Sequence, residues 1–110
     1  MINDDNQMEI FQLQAELCKS LADAKRLMII HELRDGEKSV GELAELLGLK
    51  QSNTSQHLAV LRNTGLILPR REGSTIFYSL ASPRISDACD LVRAVIAEQL
   101  QRNRTLAGAI

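Results

Sequence analysis

Between residues 39 and 80 the chain changes character three times. SVGELAELLGL starts with Ser39, carries Glu42 three residues on, has leucines at 43, 46 and 47, and reaches Gly48. Ser and Glu at that spacing form a capping box, and the glycine is a helix stop. A short helix is expected, with Leu43, Leu46 and Leu47 on its buried side. QSNTSQHLAVLRN, residues 51–63, then puts Thr54, Leu58 and Leu61 on one helical face and Ser52, Ser55, Gln56 and Ala59 on the other. Gly65 ends this second helix. Residues 66–71 and 75–80 read as strands around the turn Glu72-Gly73-Ser74. Two short helices across a glycine turn, followed by a basic hairpin, are the layout of a winged helix-turn-helix.

The flanks are helical. Residues 7–21 carry one apolar stripe at 10, 13, 17 and 21 and a second at 11, 15 and 18, so this helix has two sticky faces. Asp23 can cap a following helix, AKRLMIIHELR, that stops at Asp35-Gly36. Ser82 and Pro83 suit the start of a last helix, with Ile85, Cys89, Val92 and Ile96 in a stripe flanked by Ala88 and Val95. The tail is expected to fray beyond Leu100. The expected fold is mainly α with a small β-hairpin (α+β), in the order α-α-α-α-β-β-α, as a single domain over 1–110.

Only 3% of the 110 residues are aromatic while 45% are hydrophobic, so the core must be built from Leu, Ile, Val and Ala. A chain this small often borrows core from a partner subunit. No apolar run approaches bilayer-spanning length, and the acidic start, MINDDNQMEI, is unlike a secretory signal, so no membrane partner and a cytoplasmic location are expected. No positioned nucleophile with its acid and base, phosphate loop or cofactor fingerprint is present, so neither catalysis nor a cofactor is expected.

The net charge of −1 is unevenly spread. Residues 1–49 hold five basic and ten acidic side chains, whereas residues 50–75 hold Lys50, Arg62, Arg70 and Arg71 against Glu72 alone. Positive charge therefore sits around the second helix and the hairpin, where phosphate neutralisation would require it. Gln and Asn can pair bidentately with adenine, and Ser hydroxyls can bond bases or phosphates. The candidate contacts to double-stranded DNA are Lys50, Gln51, Ser52, Asn53, Ser55, Gln56, His57, Arg62, Arg70 and Arg71, the two hairpin arginines towards phosphates or a minor groove. An ordinary solvated helix face, on a winged module that binds other proteins, is the competing reading.

Taken together, LCKSLADAKRLMIIHEL, SVGELAELLGL, QSNTSQHLAVLRNTGLI and REGSTIFYSL resemble the ArsR/SmtB family of bacterial and archaeal repressors, from about Leu17 to Glu98. The resemblance implies a DNA-binding core at about 24–80. It implies a homodimer joined through the first and last helices, about 7–21 and 83–100, on a palindromic operator. It also implies release by a metal or a thiol-reactive signal. Thr54 stands where the family usually has an apolar β-branched residue. The family's CVC motif is matched by Ser39, Val40 and Gly41, its last-helix ligand set by Ser82, Arg84, Val95 and Glu98, and its redox cysteine pair by His31 and Ala97. None of these patterns transfers, so no metal site is expected.

What remains are Cys18 and Cys89, which form no CxxC. Each lies on the apolar stripe of a dimer helix, so an oxidant, polysulfide or trivalent arsenic could bridge them and alter the dimer. Lys19 and Arg93 are neighbours able to lower a thiol pKa. The plainer reading makes both cysteines small core hydrophobes, in a repressor with no small-molecule inducer. His31 is expected to be exposed, and His57 to be structural or DNA-facing.

Overall fold

Several helix ends in the fold have a local cause. In the computed structural model, residues 4–109 are described, with side chains for 6–105, so the first residues of the acidic start and the last residue of the tail lie outside the description. Helix α1 (Asp4–Leu21) leads to α2 (Ala24–Glu32). Asp23 caps α2 as expected, its Oδ1 accepting from the backbone N–H of Lys25 at 2.8 Å and Arg26 at 3.1 Å. These bonds, that from Arg26 foremost, hold the Asp23 carboxyl below the ordinary aspartate range. After a single 3-10 turn, strand β1 (Lys38–Ser39) runs into α3 (Val40–Leu47). Both bonds of the Ser39–Glu42 capping box are made, at 3.2 and 3.1 Å.

Helix α4 (Gln51–Asn63), the hairpin β2 (Ile67–Glu72) and β3 (Thr75–Leu80), and α5 (Pro83–Ala109) complete the chain. The hairpin closes through Gly73 and Ser74 with φ of +62° at Gly73, a position that only glycine takes without strain. The sheet has three antiparallel strands in the order β1-β3-β2, with Lys38 opposite Tyr78 and Arg70 opposite Phe77. The sequence suggested a two-stranded hairpin. The third strand is two residues long, too short for an alternating pattern, and exists only through its pairing with β3.

The core gathers Ile29, Ile30 and Leu33 from the α2 region, Leu43 from α3, Leu58 and Leu61 from α4, and Leu66, Ile67 and Tyr78 from the wing. Thr54 is fully buried with them. Its hydroxyl donates to the Lys50 carbonyl at 3.0 Å, so the polar atom placed where the family prefers a hydrocarbon is satisfied within its own helix. Leu46, expected inside, is 56% exposed. The inner stripe of α3 runs instead through Val40, Leu43, Ala44 and Leu47, and Leu46 falls just off it.

The last helix does not fray at Leu100 but runs to Ala109. Its tail is rich in helix formers and contains no proline. From Leu91 to Thr105 every residue of α5 is exposed, including Val92, Val95 and Ile96. On α1, Ile10, Phe11 and Leu13 are exposed, while Leu17 and Leu21 at its end pack on the core. Each stripe is therefore divided: Leu17, Leu21, Ile85 and Cys89 pack on the core, while Ile10, Leu13, Val92 and Ile96 face outward. Among the described residues, no helix is long and apolar enough to cross a membrane.

Candidate nucleic-acid interface

Two features of the α3–α4 turn aim the second helix. Gly48 adopts a left-handed φ of +64°, and the N–H groups of Gly48 and Leu49 return to the carbonyls of Glu45 and Ala44, the paired bonds of a Schellman ending. Lys50 then enters α4 in extended conformation with no side-chain cap bond. The first amides of α4 are thus uncapped, and Lys50 stands beside them, an arrangement that suits a phosphate oxygen.

The inner face of α4 is as expected, with Thr54, Leu58 and Leu61 all at 0% exposure. Gln51, Ser52, Asn53, Ser55 and Gln56 are exposed, and none has a side-chain hydrogen bond among the described residues. Among the described residues, the side-chain donors and acceptors of this face are therefore uncommitted. Lys50, Arg62 and Arg71 are likewise exposed, with no ion pair among the described residues.

Two candidates are already engaged. His57 is half-buried, and its Nδ1 lies 3.3 Å from Arg26 Nη1 and 3.9 Å from Asp23 Oδ1. In the free protein its Nδ1 edge is held by residues of the α2 start, and part of the ring stays exposed. Arg70 is tied down on three sides. Its Nε and Nη2 donate to Glu37 at 3.0 and 2.5 Å, and its Nη1 donates to Glu72 at 3.1 Å. Its guanidinium also sits 4.9 Å from the Phe77 ring centre. Arg70 holds the Glu37 carboxyl below the usual glutamate range, and both carboxylates keep Arg70 more firmly protonated. In the free protein Arg70 is thus engaged by Glu37 and Glu72 while its side chain stays half exposed. Two carboxylates offset its charge, and it braces the wing against the segment before β1. Glu37 had no local signal, because it is 33 residues from Arg70 and meets it only through the β1-β3-β2 order. Arg71, the next residue along β2, points to the opposite side of the strand and is unpaired among the described residues.

Residues 23–67, spanning the helix-turn-helix, match the family described as bacterial regulatory protein, arsR family. The Vibrio cholerae transcriptional activator HlyU is 42% identical over 77% of this chain and 79% of its own length. A biofilm growth-associated repressor of Agrobacterium fabrum is 45% identical over 76% of this chain and 68% of its own. The chain belongs to the ArsR family. A solved homodimeric winged helix-turn-helix DNA-binding domain from Mycobacterium bovis superposes on this ArsR-family chain with a TM-score of 0.80. It has 30% identity and covers 91% of this chain and 93% of its own. This ArsR-family protein is therefore a DNA-binding transcriptional regulator, with α3 and α4 as its helix-turn-helix.

In this family member the two thiols share one place. Cys18, exposed on α1, and Cys89, half-buried on α5, line a single largely apolar groove of about 620 Å³, with Leu17, Ile85 and Val92 among its walls. Burial pushes the Cys89 thiol pKa up, and Arg93 opposes this without reversing it. Arg93 thus acts in the lowering direction that its place in the sequence suggested, and burial outweighs it. His31, expected outside, is half-buried. Its Nδ1 has no hydrogen-bond partner among the described residues, and it borders a smaller hollow with Met28, Leu47 and Arg93. Among the described residues no three His, Cys, Asp or Glu side chains cluster closely enough to hold a metal ion.

Proposed function

We propose that this protein is a homodimeric repressor working in the cytoplasm on a palindromic operator. On this reading the whole chain is one winged domain. Residues 24–80 read DNA, and the helices at about 7–21 and 83–100 join two copies. The observation that carries it is the outer face of α4, where the exposed side chains of Gln51, Ser52, Asn53, Ser55 and Gln56 make no hydrogen bond among the described residues. Gln56 and Asn53 would read base edges, and the serines bases or phosphates. Lys50, Arg62 and Arg71 would neutralise phosphates. The exposed apolar stripes of α1 and α5 support pairing with a second copy, as does the homodimeric state named for the Mycobacterium bovis domain. A two-fold dimer presents two copies of α4 to two inverted half-sites.

The test uses an operator duplex selected by the wild-type protein from a random-sequence pool. Gln56→Ala is expected to lose about 1–3 kcal/mol on that duplex and little on unrelated DNA. Arg71→Ala is expected to weaken all duplexes alike and to lower the slope of log affinity against log salt by about one. Fluorescence anisotropy across a salt series reads both. Wild-type behaviour from both variants would remove the DNA face from α4 and the wing.

For release, the shared groove of Cys18 and Cys89 supports a thiol-reactive signal. An oxidant such as a peroxide would first take the exposed Cys18 to a sulfenic acid, releasing one water. Cys89 would then displace the second water and close a disulfide. Polysulfide or trivalent arsenic would bridge the same two sulfurs. Operator binding by the wild type is expected to fall after peroxide and recover with a dithiol, and Cys18→Ser and Cys89→Ser should each be indifferent. The raised Cys89 thiol favours the competing reading, a core cysteine in a repressor without this inducer. Binding that ignores all three reagents would establish that reading.

A further inference from the structure

We infer that Ser20, acting through Thr64, Arg26 and His57, is the positioning residue that locks the DNA-reading helix to the dimer helix. The inference rests on the assignment of α4 and α1 made above.

Ser20 lies in the last turn of α1 and is only 5% exposed. Its hydroxyl donates to the Leu17 carbonyl at 2.7 Å, so its oxygen is left to accept from Thr64 Oγ1 at 3.0 Å, the nearest acceptor for that single proton ahead of the Leu61 and Val60 carbonyls at 3.2 and 3.4 Å. Thr64 is the residue that ends α4. The carbonyl of Ser20 accepts from Arg26 Nε at 2.5 Å, and the other arm of the same guanidinium reaches His57 Nδ1 at 3.3 Å. A guanidinium only donates, so His57 Nδ1 accepts and the ring proton sits on Nε2. Asp23 orients the start of α2 through its two cap bonds, one of them to the Arg26 amide, and lies 3.9 Å from the same imidazole nitrogen.

His57 and Thr64 are seven residues apart, two helical turns, and so lie on one face of α4. One tie would leave the helix free to roll or slide about it. Two ties on one face, both traced to Ser20, fix roll and slide together. The leucines of α4 cannot do this alone, because apolar ridges pack in several neighbouring registers at similar cost. In a two-fold dimer the α1–α4 relation is applied twice, so a small roll of α4 displaces both copies from half-sites one helical turn of DNA apart. The same turn of α1 presents Leu17, Cys18 and Leu21 to the thiol groove. A change in that groove therefore acts on the residue that holds α4.

The experiment measures affinity for three duplexes: the selected operator, the same operator with one base pair inserted between half-sites, and an isolated half-site. Ser20→Ala removes the hydroxyl tie, and Arg26→Met keeps the side-chain bulk while removing every donor. The wild type should prefer native over lengthened spacing. The combined variant should lose roughly tenfold of that preference, the worth of two ordinary hydrogen bonds, with half-site affinity unchanged. His57→Leu should lose part of the preference, and His57→Asn, which keeps an acceptor near the Nδ1 position, should retain it. A lowered melting temperature with spacing preference intact would overturn the inference, as would equal losses on half-site and full operator. Should the combined variant fail to fold, the His57→Leu and His57→Asn pair decides the same question. Failure of the α4 assignment would show separately, as an operator affinity indifferent to Gln56→Ala.

Discussion

Leu58→Ala is expected to destabilise the fold by about 2–5 kcal/mol. Leu58 is fully buried, and its neighbours in the core come from α2, α3 and the wing. Removing three carbons there strips contacts from all of these layers at once. Against a total stability of about 5–15 kcal/mol for a domain of this size, such a loss can consume much of the margin. Urea unfolding should show a lower midpoint with an unchanged slope, because the surface exposed on unfolding is nearly the same. A midpoint within experimental error of the wild type would mean that α4 is not the keystone of the core.

The second large effect concerns association. Val95→Glu is expected to yield a folded monomer whose operator affinity is lower by roughly 10²–10⁴-fold, the advantage of binding two linked half-sites over one. Val95 is 51% exposed in the single chain, in the stretch of α5 where every residue from Leu91 to Thr105 is exposed. Glutamate is a good helix former, so α5 itself should persist. A carboxylate buried against a second copy would be desolvated without a partner. Sedimentation equilibrium reads the association and anisotropy reads the operator. A Val95→Glu protein that still sediments as a dimer would move the interface away from this face of α5.

The readable parts of the fold were those decided by neighbours in the chain. Asp23, Ser39 with Glu42, and Gly48 announce helix ends because capping acts over two to four residues. Thr54, Leu58 and Leu61 announce the inner face of α4 because helical periodicity is local. The outer face of that helix was legible for the same reason. The rest depends on tertiary placement. Strand β1 is defined by a partner some 40 residues later. The ties from Arg70 to Glu37 and from Arg26 to His57 join residues 33 and 31 apart. They redirect Arg70 and His57, two residue types that fit a DNA contact and an internal bond equally well. Leu46 shows the limit of periodicity itself, since one residue off the stripe is enough to leave a leucine in water.

The length of α5 turns geometry into leverage. At 27 residues it is a rod of about 40 Å, anchored to its own protomer only near its start, around Ile85 and Cys89. A tilt of about 5° at that end sweeps the far end through roughly 3 Å. A small displacement of its first turns, around Ile85 and Cys89, is magnified along the shaft, so the packing of a few residues sets where the far end lies.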